Sequence, residues 1–380
     1  VLFALLLVRA GLGVEDEPRE IVDRYPIGSE EDDRDKTFHV MNWLVGDGMD
    51  VSECALLRAL SSILVSHDGS PLRKALIDSR LGQDLFYSGF AEFGLETGFT
   101  VGLKGSNPEH RDAFQKLVLD TLAQISRSTL DAEVIEAGFN QLAYRHREIQ
   151  QMRPLHQLMP VLRAWVLGRD PLDQLRMDEY LSDWRTRCIE DPTILTDAVQ
   201  RLLLDNPHRL DVTLTPDREW TARHEAEFAA RMTSVREEYT ENELREIAAR
   251  AEELEKASGT PNSPAAVASL PQLTVGELPQ EPVHIPGATD ELAGGMPFIR
   301  NEVFSNGVNY LRWSVDLQGV TPEMWQILPR LHEAFNRLGA AGMNYEQIAQ
   351  RRQLHSGGIS CATEFMPDQR EPETTHAVLT

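Results

Sequence analysis

The sequence predicts an α/β protein of the α+β kind: two domains of antiparallel sheet plus helices, the second incomplete, joined by a helical hairpin and a Pro-rich linker. Three observations carry this reading. Short alternating segments such as "TFHVMNWLVGDG" and "HRLDVTLTP" have the period of strands. Longer segments between them repeat their apolar residues at helical spacing. Finally, residues 217–256 hold 12 acidic and 7 basic side chains and no Gly or Pro, a helical stretch with little to bury.

The chain opens on "VLFALLLV", an apolar run too short to cross a membrane. It resembles the core of a signal peptide but lacks a basic start and a small-residue cleavage site. A core element opened by truncation fits it better. The last residues, "PETTHAVLT", stop without a cap or closing turn, so both ends look severed.

After an acidic loop at 29–36, "TFHVMNWLVGDG" predicts a strand. "DVSECALLRALSSILVS" predicts a helix capped by Asp50 or Ser52, with Leu56, Leu57, Leu60, Ile63 and Leu64 on one face. "SPLRKALIDSRLG" predicts a shorter helix, with Ser70 as cap, Pro71 in the first position and Gly82 as the stop. "DLFYSGFAEFG" and "TGFTVGLKG" read as paired strands. Helices are expected near 107–126 and 131–151, with more helix filling 155–204. A strand at "HRLDVTLTP" places Leu210, Val212 and Leu214 on one face.

Phe228, Met232, Val235 and Tyr239 then mark one narrow helical stripe. Thr240 and Glu243 form a capping box that restarts the helix, and Leu244, Ile247, Ala248, Ala251 and Leu254 mark a second stripe. Residues 257–290 contain 6 of the 21 prolines and read as an extended linker. Beyond it, two strands are expected around Ser305-Asn306-Gly307. A long helix over "TPEMWQILPRLHEAFNRLG", a shorter one over "NYEQIAQRRQLHSGG" and a strand at "ISCATEF" follow. The order strand, long helix, short helix, Gly, strand thus runs from Phe38 to Gly89 and recurs from Asn309 to Phe365. Trp43 and Trp313 stand at matching places.

The expected domains are residues 1–215, a hairpin at 216–260, a linker at 261–290 and an incomplete second domain at 291–380. At 380 residues the chain is long enough for such a division. The formal net charge of −23 excludes nucleic acid and anionic membranes as favoured partners and suits cationic ones. Cys54, Cys188 and Cys361 lie far apart with no C-x-x-C, and read as ordinary buried or half-buried thiols.

A search for catalytic and metal constellations finds none. No two of the eleven histidines are three to five residues apart, so no helix can present a His pair to zinc. His224-Glu225 and His332-Glu333 look like half of H-E-x-x-H, but Phe228 and Asn336 stand where the second His is needed. There is no Walker loop, no G-x-G-x-x-G and no G-x-S-x-G. No catalytic, cofactor-binding or metal-binding residue is assigned.

Seven segments nonetheless occur together in a telling order: "VMNWL", "SPLRKALIDSRLG", "FTVGLKG", "LLLDNPHRLDVTLTPD", "LPQLTVGELPQEPVHIP", "NEVFSNGVNYLRWSVDL" and "HSGGISCATEF". In them the chain resembles the presequence protease branch of the pitrilysin/insulinase metallopeptidases, in its middle portion, from about Glu17 to Phe365. The resemblance implies zinc endopeptidases of four homologous α/β domains in two halves around a chamber, which degrade short unstructured peptides, targeting presequences among them. It implies zinc held by an inverted H-x-x-E-H motif in the first domain, hence outside this chain, with none bound here. Residues 1–215 would be most of the second pitrilysin-like domain, 216–260 the hinge hairpin and 291–380 the start of the third domain. The partners would be the remaining domains of the same polypeptide and short, possibly basic, peptides, in bacteria or in organelles. An alternative stays open, a catalytically inactive scaffold or peptide-binding homologue acting through protein contacts.

Overall fold

Alternation in residues 37–47 produces the central strand. The structure, a computed structural model, describes residues 17–92, 95–281, 284–292, 294–368, 370, 371, 373 and 375–380, so the apolar opening stretch lies outside the described residues. It divides into two units, Val1–Asp217 with Ser305–Thr380, and Arg218–Phe304.

In the first unit a six-stranded sheet runs in the order β1 (Arg19–Pro26), β6 (Arg209–Asp217), β2 (Thr37–Asp47), β5 (Glu96–Ser106), β3 (Asp84–Leu85), with β4 (Gly89–Glu92) also on β5. Every pairing is antiparallel except β1 with β6. The β1 strand has no counterpart in the sequence reading. Only Ile21 and Tyr25 of it are partly covered, and an edge strand that buries so little leaves no clean alternation.

Strand period sorts β2 and its partners onto two faces. Met41, Trp43 and Val45 join Phe99, Val101 and Leu103 under the helices. Val40 points the other way and packs with Leu210, Val212 and Leu214, the face expected from the sequence. The helix layer comprises α1 (Val51–Val65), α2 (Pro71–Ser79), α3 (Arg111–Ser126), α4 (Ala132–Arg147), α5 (Arg153–Val166), α6 (Met177–Glu190) and α7 (Thr193–Val199). Asp50 caps α1 by accepting from the Glu53 N–H at 2.9 Å. Leu57, Leu60, Ile63 and Leu64 of α1 are buried against the sheet beside Phe114, Val118 and Leu122 of α3. Cys54 and Cys188 are buried and Cys361 is half-buried.

Gly82 is not the stop of α2. That helix ends at Ser79 with Arg80 in the left-handed region at φ 56°. Gly82 serves close approach instead, since a Cβ there would meet Leu103 Cγ at 2.6 Å and the Lys104 carbonyl at 2.8 Å.

Residues 305–380 depart further from expectation. Asn306 and Gly307 do adopt left-handed φ of 54° and 78°, and Val308 N–H donates to the Ser305 carbonyl at 3.1 Å. The tight turn therefore forms, yet its flanks do not pair, and the strand expected at Trp313 shrinks to β9 (Val315–Asp316). The expected long helix is broken into α11 (Pro322–Trp325) and α12 (Leu328–Phe335). Pro329 has no N–H to give the preceding turn, which is why the helix cannot run through. By contrast α13 (Tyr345–His355) forms as read, with a capping box between Asn344 and Gln347. A small sheet of β9, β10 (Thr363–Pro367) and β11 (Thr375–Leu379) completes this region.

The second unit carries α8 (Trp220–Glu237), α9 (Glu241–Gly259), a one-turn helix α10 (Pro264–Ala268) and a hairpin of β7 (Gly287–Leu292) with β8 (Met296–Asn301). The Thr240–Glu243 capping box is present. Neither long helix buries a residue, and Phe228 and Ile247 are 57% and 48% exposed. The β7–β8 pairing turns at Gly294 and Gly295, both with positive φ, ahead of the Ser305-Asn306-Gly307 signal.

Candidate functional site

Zinc needs three or four N, O or S ligands converging on one point. Among the described residues, no group of three His, Cys, Asp or Glu could hold a metal ion. What exists is pairs: His146 with Asp178 at 3.8 Å, and His376 with Asp368 at 3.2 Å. The residues present do not fit zinc. The two half-motif histidines are engaged elsewhere, His224 stacking on Trp220 at 4.6 Å and His332 hydrogen-bonding Thr363 at 3.1 Å.

The thiols are structural as well. Burial pushes Cys54 up to about 12 and Cys188 up to about 11, far from the thiolate a nucleophile requires. No described helix is long and apolar enough to cross a membrane.

Two concave places remain, both in the first unit. A polar pocket of about 320 Å³ lies where α13 meets α4 and the α1–α2 turn. The helix is seated by side-chain amides that satisfy the orphan carbonyls of its last turn. Asn140 donates to the Leu354 carbonyl at 3.0 Å, and Gln141 to those of Gln353 and Ser356 at 3.1 and 2.6 Å. Lys74 pairs with Glu346 at 2.6 Å near the other end. His67 lines the pocket, and burial, helped by Arg352 and Arg73, brings its imidazole down to about 4. It is neutral there, with Nδ1 accepting from the Gly69 N–H at 3.1 Å.

The larger cleft, about 640 Å³, lies between the β2–α1 turn, the end of α4 and the start of α5. Four arginines, Arg58, Arg145, Arg153 and Arg163, line it with two carboxylates, Glu92 and Glu148. Glu92 pairs with both Arg58 and Arg163. Met49, Met159, Leu175 and Met177 supply apolar wall. A cationic cleft on a chain of net charge −23 is not what overall composition suggests. Its local signal was the run "RHREIQQMRPLHQLMPVLR" at 145–163, which brings four arginines and two histidines to adjoining turns.

Elsewhere a polar cluster sits within the sheet. Asp211 on β6 is 3% exposed and faces α3, accepting from Gln115 at 3.2 Å and from Arg209 at 3.2 Å. Burial dominates over Arg209 and raises its carboxyl to about 6.

Residues 214–380 match the family model for Peptidase M16 (subfamily C) associated proteins. Presequence protease 1, chloroplastic/mitochondrial, of Arabidopsis thaliana is 28% identical over 350 residues, covering 90% of this chain and 32% of that protein. The chain is similar to the presequence proteases. The mitochondrial presequence protease of Xenopus tropicalis agrees, at 27% identity over 90% of this chain and 33% of its own length. The family resemblance carried by the seven sequence segments is thereby borne out. The chain spans about a third of the length of these relatives. Among solved structures, a protease from Helicobacter pylori superposes with TM-score 0.41 and 18% identity over 54% of this chain and 45% of that one.

Proposed function

We propose that this chain is the non-catalytic middle part of a zinc metalloendopeptidase that degrades short unstructured peptides such as targeting presequences. The observation that carries it is the pairing of two facts. The chain is similar to presequence proteases over nine-tenths of its length, while it spans a third of theirs and contains no H-x-x-E-H. On this reading residues 1–215 are chamber wall, 216–260 the hinge hairpin, 261–290 a linker and 291–380 the start of a further domain. Zinc is held by the remaining domains of the same polypeptide. The net charge of −23 draws basic peptides toward the chamber through its long-range field.

The test is a cleavage assay on the purified chain with a fluorogenic basic peptide, zinc supplied, alongside metal analysis after desalting. The expected result is no cleavage and no zinc retained at stoichiometric level. Cleavage abolished by a chelator would overturn the non-catalytic assignment. Attraction of the peptide should weaken as salt rises from about 50 to about 500 mM; salt-independent binding would remove the electrostatic part of the reading.

A further inference from the structure

We infer that the cleft between the β2–α1 turn, the end of α4 and the start of α5 binds the C-terminal carboxylate of a short peptide. This rests on the reading that the chain handles peptides, and adds a site that reading does not contain.

The charge arithmetic comes first. Glu92 is shared by Arg58 and Arg163, one anion between two cations. Arg145 has no ion-pair partner among the described residues, and Arg153 is engaged only with the Arg147 carbonyl at 3.3 Å. The other nearby anions are accounted for: Glu148 faces Gln150 at 3.4 Å, and Asp178 faces His146 at 3.8 Å. The cleft therefore keeps a surplus of guanidinium groups. A guanidinium presents a planar fork that matches a carboxylate with two parallel hydrogen bonds.

Shape and wall narrow the ligand class. About 640 Å³ lies within the range of sites for small ligands. Methionines dominate the apolar side, and flexible thioethers accept varied side chains. A site with a fixed charge anchor and an adaptable apolar wall reads one terminal carboxylate and tolerates many last residues. A polyanion fits poorly, because every additional phosphate would meet the field of a chain at −23, whereas a peptide brings one carboxylate.

The experiment is fluorescence anisotropy with the intact chain and three versions of one labelled peptide: free acid, C-terminal amide, and C-terminal amide with an internal Glu. The free acid should bind at least about tenfold more tightly than the amide, and the internal Glu should not restore the loss. Arg145→Ala should bring acid binding down to the amide level while leaving amide binding unchanged, which also reports that the variant is folded. Arg145→Lys should retain part of the preference. Equal binding of acid and amide, an unchanged ratio in Arg145→Ala, or full restoration by the internal Glu would overturn the C-terminal assignment and leave the peptide-handling reading standing. Absence of binding by all three peptides would overturn both.

Discussion

Trp43 and Trp313 occupy matching places in a repeated sequence pattern and opposite environments in the molecule. Trp43 sits in β2 at 1% exposure, with β5 and β6 on either side and α1 above. Trp313 is 63% exposed in a segment with no strand partner, beside Tyr310 and Leu311 at 64% and 76%. The same local alternation thus yields a core strand in one place and irregular chain in the other. A strand is stabilised by neighbours on both edges and a layer on its face, and periodicity only makes it eligible for them.

Breaking that contrast directly gives the largest effect. Trp43→Ala should cost about 3–5 kcal/mol through lost burial and a residual cavity, while Trp313→Ala should stay within about 0.5 kcal/mol. Urea unfolding of the two variants measures this, and a large loss from Trp313→Ala would mean that this region has a core of its own.

How much was legible follows the same division. Residues 37–65 could be read almost to the residue, because the Asp50 cap, the apolar face of α1 and the β2 alternation all favour one outcome. The segment 321–339 was misread because its helical period outvoted Pro329. The turn at Asn306-Gly307 was right as chemistry and wrong as a hairpin, since φ is a local property and strand pairing is not. The cationic cleft was illegible as a site. Its residues are drawn from Gly48 through Met177, and only the fold brings the β2–α1 turn to the end of α4.

The seating of α13 offers a second way to sharpen the comparison. Gln141→Ala would leave the Gln353 and Ser356 carbonyls without their donor, at about 1–3 kcal/mol. Limited proteolysis should then cut within 305–380 sooner while the 37–217 core persists. Simultaneous loss of both regions would contradict their separate stability.

Two buried groups make opposite pH signatures. Asp211 has a folded value near 6 against an ordinary 3.8, so the folded state holds the proton more tightly. Its contribution to stability is present below about pH 4 and lost as pH rises through 6. Asp211→Asn should therefore stabilise at pH 7 by on the order of 1–2 kcal/mol, after allowing for the lost pairing with Arg209. His67 has a folded value near 4 against 6.5, so its contribution is present above about 6.5 and lost as pH falls toward 4. His67→Asn should flatten the acid limb by a comparable amount, read from thermal unfolding across pH 4 to 8. An unchanged acid limb would place the acid sensitivity elsewhere.

The smallest effect belongs to the exposed second unit. Thr240→Ala removes the capping box at the start of α9 and should cost about 1 kcal/mol of local helix stability. Hydrogen exchange at residues 241–245 should accelerate without any change in the first unit.

The central claim, that this chain belongs to a larger peptidase, is tested most directly by the native mass of the polypeptide. An immunoblot of cells that make it, with an antibody raised against residues 220–259, should show a band more than twice the 42.8 kDa of this chain. A single band at 42.8 kDa would contradict the account and describe a free-standing protein without zinc ligands of its own.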